Sequence, residues 1–250
     1  MAKKHNGVII YEGPSMLDGS PIVVIATGLA SKSNNVKTGG GLVQTWILRQ
    51  DISPTEAVKT GQDASICGDC VHRGDIVDGK NVDRSCYVTV FQAPLNVWKS
   101  YHRGIYPHIE PGELTGKRVR LGAYGDPAAV PIAVWDNAMV GTIGHTGYTH
   151  QWRDFPDFAK YCMASCDTEG DRVFAKFLGY RTFRVTSATG EPMEDGREIA
   201  CPASAEAGHK TTCDTCLACG GLEARAKVDI VIRAHGSAGK INAYDRKIHA

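Results

Sequence analysis

Seven of the nine cysteines fall into two groups whose spacing suits metal coordination. The denser group lies in "CPASAEAGHKTTCDTCLACGGL", where Cys201 is followed by Cys213, Cys216 and Cys219 at C-x2-C-x2-C spacing. A C-x2-C turn lets two thiolates face one ion without strain, and Gly220 and Gly221 relax the backbone beside them. Structural zinc sites usually separate their cysteine pairs by a longer insert. Three cysteines two residues apart suit an iron–sulfur cluster, which one turn-rich segment can wrap. The spacing therefore favours a cluster over zinc, with unliganded thiols as the third option.

The sparser group is Cys67, Cys70 and Cys86, in "CGDCVHRGDIVDGKNVDRSC". With His72 as a fourth ligand it makes a closed structural zinc site; without His72 it leaves one metal position open. A further arrangement joins Cys67/Cys70 to Cys213/Cys216 as one four-cysteine zinc site. Four thiolates close a site, so the 201–222 loop reads as supportive or electron-carrying, and Cys67, Cys70 and Cys86 as the set that can react. Cys162 and Cys166, four apart in "CMASC", share a face if the segment is a strand. Cys162 then reads as core, and Cys166, beside Asp167 at the strand end, as facing the pocket.

Candidate catalytic groups are Asp126, His150 and Asp167; candidate ligand-holding residues are Asn35, Lys37, Gly125, Asp126 and Gln151. In "GAYGDPAAVP" Asp126 can accept bonds from an amine or a ribose while Gly125 lets a ligand approach the backbone, or it is an ordinary Asp-Pro turn capping a helix. "HTGYTHQW" offers His145, Tyr148, His150, Gln151 and Trp152 to a flat polar ring such as a nucleobase. "GLASKSNNVKTGG" fails as a phosphate loop, because Val36 stands where a glycine must precede the lysine. It remains either an anion-holding loop with Ser33, Asn34, Asn35 and Lys37 or a plain surface loop.

These residues need elements to position them. Residues 1–20 read as an irregular lead-in with turn signals at Gly13-Pro14 and Asp18-Gly19. β-branched or alternating runs predict strands at 21–28, 42–48, 86–91, 117–124, 147–152, 158–166, 181–187, 197–201 and 227–233. Ser53-Pro54 predicts a helix from 54 to about 59, and Pro94 one to about 103; further helices follow at 129–139 and 167–180. This alternation across 250 residues predicts a single α/β domain with a largely parallel sheet: a partial or complete parallel α/β barrel whose cysteine-rich loops, 201–222 among them, bind metal. Asp126, His150, Gln151, Ser165 to Asp167, Thr186, Ser187, Cys201 and His235 all follow predicted strands. The carboxyl ends of parallel strands form the ligand face of such folds, so these residues are expected to share one site.

The net charge of +1 gives no global basic field for nucleic acid. No apolar run approaches the ~20 residues of a membrane helix, and the N-terminus lacks a secretory pattern. The expectation is a soluble cytoplasmic protein with no membrane partner, its cysteines reduced or metal-bound.

Taken together, "CGDC…SCYV", "GAYGDPAAVP", "HTGYTHQW", "GYRTFRV" and "CPAS…TTCDTCLACGG" resemble an uncharacterised cysteine-rich family associated with bacteriophages and plasmids, over most of the chain. That resemblance implies a host-cytoplasmic setting but no mechanism. More remotely, the chain is similar to radical S-adenosylmethionine (radical SAM) enzymes, whose Gly-Gly-Glu-Pro stretch "YGDPAAVP" resembles. That likeness implies a partial α/β barrel, a [4Fe–4S] cluster on three cysteines with S-adenosylmethionine on its fourth iron, and Asp126 at the S-adenosylmethionine amino group. The four-cysteine set would then resemble an auxiliary cluster. Neither "CMASC" nor the set Cys67, Cys70 and Cys86 has the C-x3-C-x2-C spacing usual in those enzymes. The resulting expectation is an iron–sulfur, radical SAM-like enzyme acting on a small-molecule or nucleotide-related substrate, with nucleic acid as a further partner. The alternatives are a zinc-stabilised binding protein of phage or plasmid origin without chemistry, and a zinc-bearing barrel that modifies bases without a radical, using Asp126 or Asp167.

Overall fold

A computed structural model describes residues 5–31, 37–192 and 198–248. It opens with strands β1 (Gly7–Pro14), β2 (Pro21–Thr27) and β3 (Leu42–Arg49), paired antiparallel in that order. Helices α1 (Pro54–Thr60) and α2 (Ala64–Cys67) follow, then a hairpin of β4 (Asp75–Val77) and β5 (Lys80–Val82), and helix α3 (Ala93–His102). The hairpin turns on Asp78-Gly79, both at positive φ, as a two-residue turn requires. Strand β6 (Arg118–Tyr124) leads through α4 (Ile132–Ala138) to β7 (Gly144–Thr146), β8 (Tyr148–Thr149) and β9 (Met163–Cys166). The remainder is α5 (Glu169–Phe177), β10 (Thr182–Thr186), β11 (Glu198–Ala200), α6 (Cys213–Cys216), β12 (Asp229–Arg233) and α7 (Ala238–Ile248).

The strands form two five-stranded sheets, ordered β1-β2-β3-β6-β7 and β11-β12-β10-β9-β8. From β3 onward in the first sheet, and throughout the second, every pairing is parallel. Only Gly147 separates β7 from β8, so the chain passes from one sheet to the other within one extended run. A side chain at Gly147 would collide with Cys162 Sγ, 2.9 Å from an added Cβ. The α/β expectation with parallel strands is met. Among the described residues no pairing closes the strands into a ring, and no helix is long and apolar enough to cross a membrane.

Each strand's two faces have different work. On β6, Val119 and Leu121 join the apolar core, while Arg120, Gly122, Ala123 and Tyr124 border the cavity, Tyr124 also packing into the core. On β10, Thr182 and Arg184 face away from Phe183 and Val185. Arg184 makes a two-pronged contact with buried Glu198 (3.0 and 2.7 Å), and Lys176 of α5 pairs with buried Asp229, so charged groups fasten α5 to the outside of the second sheet. A buried pair of this kind fixes geometry more than it adds stability.

Three sequence expectations change. The supposed lead-in of residues 1–20 contains β1, paired along its length with β2 and bridged at Ile9 to His108; Val8 and Ile9 are buried, while a register shift between Ile9 and Tyr11 breaks the alternation that would have revealed it. The run "CYVTVF" is not a strand: Cys86 donates its N–H to His72 O, and Arg84 Nη1 donates to the carbonyls of Cys86 and Val88, so side chains supply what a ladder would. Beyond β12 the chain forms α7, where no helix was expected.

Candidate functional site

The seven parallel strands β3, β6, β7–β8, β9, β10, β12 and β11 end at one edge, and a cavity of about 440 Å³ lies against their shared face. Its walls include strand-face residues Arg120, Tyr124, Tyr148, Phe183 and Ile232. Of the residues expected to share a site at the strand ends, Asp126, His150, Ser165, Cys201 and His235 line it, whereas Gln151, Cys166, Asp167, Thr186 and Ser187 do not. All seven cysteines of the two groups border this single cavity.

The first set arises between β3 and β6. Ser53 caps α1 by accepting from Glu56 N, and Cys67 ends α2. The turn to Cys70 then passes through Gly68 at φ +56°, where an added Cβ would lie 2.4 Å from the Gln151 side chain. Gln151 Nε2 donates to Asp69 Oδ1 (2.7 Å) and Cys67 O (3.3 Å). Arg73 donates to Gly68 O and Gly61 O (both 2.7 Å) and pairs with buried Asp63 (2.9 Å). Gln151 therefore holds the cysteine turn in place, where the sequence suggested it holds a ligand. Burial pushes the Cys67 thiol well above its ordinary pKa, helped by Asp63 and the neighbouring Cys70 and Cys86 thiols. Burial also raises Cys86, with Arg84 opposing it. Thiols that raise one another's pKa resist losing their protons together unless a nearby positive charge compensates.

The second set arises between β11 and β12. Cys201 follows β11 and donates its N–H to Val231 O (2.8 Å). Cys213 and Cys216 are the two ends of α6, which stops at Leu217 in the left-handed region (φ +51°). Cys213 N donates to Lys37 O (3.1 Å), tying α6 to the start of the 37–41 segment. Arg181, at the start of the run into β10, donates to Ala218 O (2.9 Å), Gly221 O (2.8 Å) and Val228 O, and so clamps the loop from beneath. Burial pushes Cys219 up to about 12, while a hydrogen bond from Tyr148 favours its thiolate. Burial likewise raises Cys213, and Arg120 and Lys37 counter it.

Other candidates find different places. Asp126 accepts from Ala128 N (3.0 Å) and His150 N (2.7 Å), one on each carboxylate oxygen, so it caps the turn after β6 and ties it to the end of β8. Burial raises its pKa against those bonds. Gly125 lines the cavity, and its missing side chain is also required by Ile47, 2.6 Å from an added Cβ. Lys37 lines the cavity beside Cys201 and Cys213, while Asn35 lies outside the described residues. Cys166 is buried on the outer face of β9 with Ala164 and Cys162, and Ser165 is the residue turned to the cavity; the expectation for Cys166 was wrong by one position. Of the ring-binding candidates, Tyr148 and His150 reach the cavity, whereas Trp152 is fully buried and donates to Ser165 O (2.9 Å), and His145 packs edge-on to Tyr161.

His72 does not turn toward the cysteines as a fourth ligand. Its Nδ1 meets Ser85 Oγ at 2.8 Å, and its Nε2 lies 3.3 Å from Asp167 Oδ1. His150 Nε2 lies 3.5 Å from Asp167 Oδ2 and 3.8 Å from Cys70 Sγ. Between the two imidazoles Asp167 stays well below the usual carboxylate range, although burial opposes it. The sequence missed Arg120 and Tyr124, which spacing by two along β6 could have shown on the face of Gly122.

Comparison with protein-family models, with curated proteins and with solved structures finds no match.

Proposed function

We propose that this chain is an iron–sulfur enzyme of radical SAM-like type, a partial barrel with two cluster sites on one cavity, acting on a small, nucleotide-related substrate. The observation that carries the reading is the meeting, at one cavity, of two thiol sets borne by different sheets. The C-x2-C-x2-C spacing of Cys213, Cys216 and Cys219 in the sequence supports a cluster over zinc. Tetrahedral zinc with bonds near 2.3 Å needs sulfurs about 3.8 Å apart. Among the described residues the one trio of ligand atoms gathered within 4.8 Å is His72, His150 and Asp167; neither cysteine set is that tight. A cluster, with iron and sulfide between its ligands, accepts wider spacing.

Cys67, Cys70 and Cys86 hold a cluster with three thiolates and leave one position toward the cavity, while Cys201, Cys213, Cys216 and Cys219 close theirs. When bound, such a cluster supplies one-electron chemistry. The chain supplies compensation for the thiolate charge: Arg84 beside Cys86, and Arg120 and Lys37 beside Cys213. The Tyr148 hydrogen bond to Cys219 tunes the second site, since bonds to sulfur set cluster potentials. Because Asp126 spends both oxygens on backbone donors, the amino group of S-adenosylmethionine is met by other cavity groups. The cavity has the size of a small-molecule site, part of it taken by the clusters.

Anaerobically purified full-length chain is expected to be brown and to carry iron and sulfide. Alanine at Cys67, Cys70 and Cys86 should remove one share of both, and alanine at Cys213, Cys216 and Cys219 the other. Colourless protein with stoichiometric zinc bound to those cysteines overturns the reading. Cleavage of S-adenosylmethionine on reduction tests the finer assignment; its absence with a reduced cluster counts against radical SAM-type chemistry alone.

A further inference from the structure

The geometry points to a separate mononuclear metal site, in which His72, His150 and Asp167 bind one divalent first-row transition ion. The three residues come from different parts of the frame: a short turn after Cys70, the end of β8 and the end of β9. Their ligand atoms lie within 4.8 Å of one another. Two imidazoles approach the two oxygens of a single carboxylate at 3.3 and 3.5 Å. Good N–H···O contacts are shorter, about 2.9 Å. Ligands about 2.0–2.1 Å from a tetrahedral ion stand roughly 3.3–3.4 Å apart, close to the two histidine–carboxylate distances here, each to its own oxygen.

The surroundings have the features of a prepared site. Asp167 Oδ1 is buried and makes no full hydrogen bond; His72 Nε2 faces it at 3.3 Å without closing to bonding geometry. Ser85 engages His72 Nδ1 at 2.8 Å, which leaves Nε2 to face Asp167, the arrangement by which outer groups orient a metal-bound histidine. Tyr244 stacks on the same ring at 5.2 Å and is anchored by its hydroxyl to Val185 O (2.8 Å). Asp167 is fixed in turn by the start of α5, where Thr168 and Asp171 form a reciprocal cap and Asp171 also accepts from Asp167 N. The three side chains are 14–20% exposed, open enough for an ion to enter.

Two histidines and one carboxylate leave coordination positions free, a donor set that suits iron(II), zinc or cobalt(II). Those positions open where His72 and His150 border the large cavity and where His150 and Asp167 border a smaller one of about 270 Å³. Cys70 touches His150 but does not belong to the tight trio, so it stays with the other cysteines. The ion site and the first cysteine set are therefore neighbours sharing the His150–Cys70 contact, and each can be filled without the other.

Cobalt(II) alone is the probe. Full-length chain equilibrated with cobalt(II) and then dialysed should retain one equivalent that is lost in His72→Gln and in Asp167→Asn, while iron and sulfide content in the anaerobic preparations stays unchanged. The difference spectrum, wild type minus variant, should show ligand-field bands without sulfur-to-metal charge transfer. Full cobalt retention by both folded variants, or strong sulfur charge transfer in the difference, overturns the site. If circular dichroism shows that neither variant folds, X-ray absorption of wild-type chain loaded with one equivalent decides. A nitrogen and oxygen shell supports the site, and a sulfur-dominated shell overturns it.

Discussion

Replacing Arg181 by methionine should loosen the second cysteine loop more than any substitution within the loop's own apolar residues. Arg181 is 6% exposed and donates to three backbone carbonyls, those of Ala218, Gly221 and Val228. Methionine fills much of the volume but donates nothing, so three carbonyls lose a charged donor. Each such bond contributes about 1.5–3 kcal/mol. The removed guanidinium no longer pays its own desolvation, which recovers several kcal/mol of that sum. A net loss of about 4 kcal/mol is left, a large part of the ~5–15 kcal/mol that holds a domain folded. At this chain length the melting temperature should fall by roughly 12 °C. Urea denaturation and calorimetry read the stability; iron and sulfide analysis read the loop. The variant should keep the metal of Cys67, Cys70 and Cys86 and lose that of Cys201, Cys213, Cys216 and Cys219. Arg181→Lys, with one ammonium reaching part of the cradle, should fall between. A methionine variant with stability unchanged within about 1 kcal/mol and full metal content would refute the clamp.

Gly68→Ala combines a left-handed φ with a collision at Gln151, so it should cost about 2 kcal/mol and deplete metal at the first cysteine set, measured by denaturation and metal analysis. Asp126→Asn can accept on only one atom where the aspartate accepts on two; stranding one backbone N–H should lower stability by about 2 kcal/mol in urea titration. Cys166→Ala, on the outer core face, should lower stability by about 1 kcal/mol and leave metal content unchanged, whereas Cys86→Ala should cost metal with little change in stability.

Local chemistry made much of this site legible. Ser53-Pro54 announced α1, and β-branched runs announced β2, β3, β6 and β12, because there the local preference and the global fold agree. Asp126, His150 and Cys201 were findable because parallel strands must end on one side. The failures share a cause, which is that tertiary partners decide. "CYVTVF" has strand propensity but no free edge, and Arg84 takes its carbonyls. Cys166 missed the cavity because a strand's faces alternate, and one residue exchanges them. His72 looked like a ligand for the cysteines beside it in sequence; its partner Asp167 stands 95 positions away (167 − 72) and only folding brings them together. The clamp of Arg181 was invisible because an arginine among strand residues gives no sign of which carbonyls it will meet.

The passage through Gly147 has a consequence for the gap across which electrons would travel. The first thiol set hangs from the sheet that ends in β7 and the second from the sheet that begins at β8, and Gly147 N donates to Cys219 O at 2.9 Å. Gly147 thus joins the two sheets and holds the backbone of the second set's loop. Electron tunnelling falls steeply with distance, so a bend of the seam would act on transfer rate without touching any ligand. If both sets hold clusters as proposed, a change there would alter transfer between them while leaving the thiols of both in place.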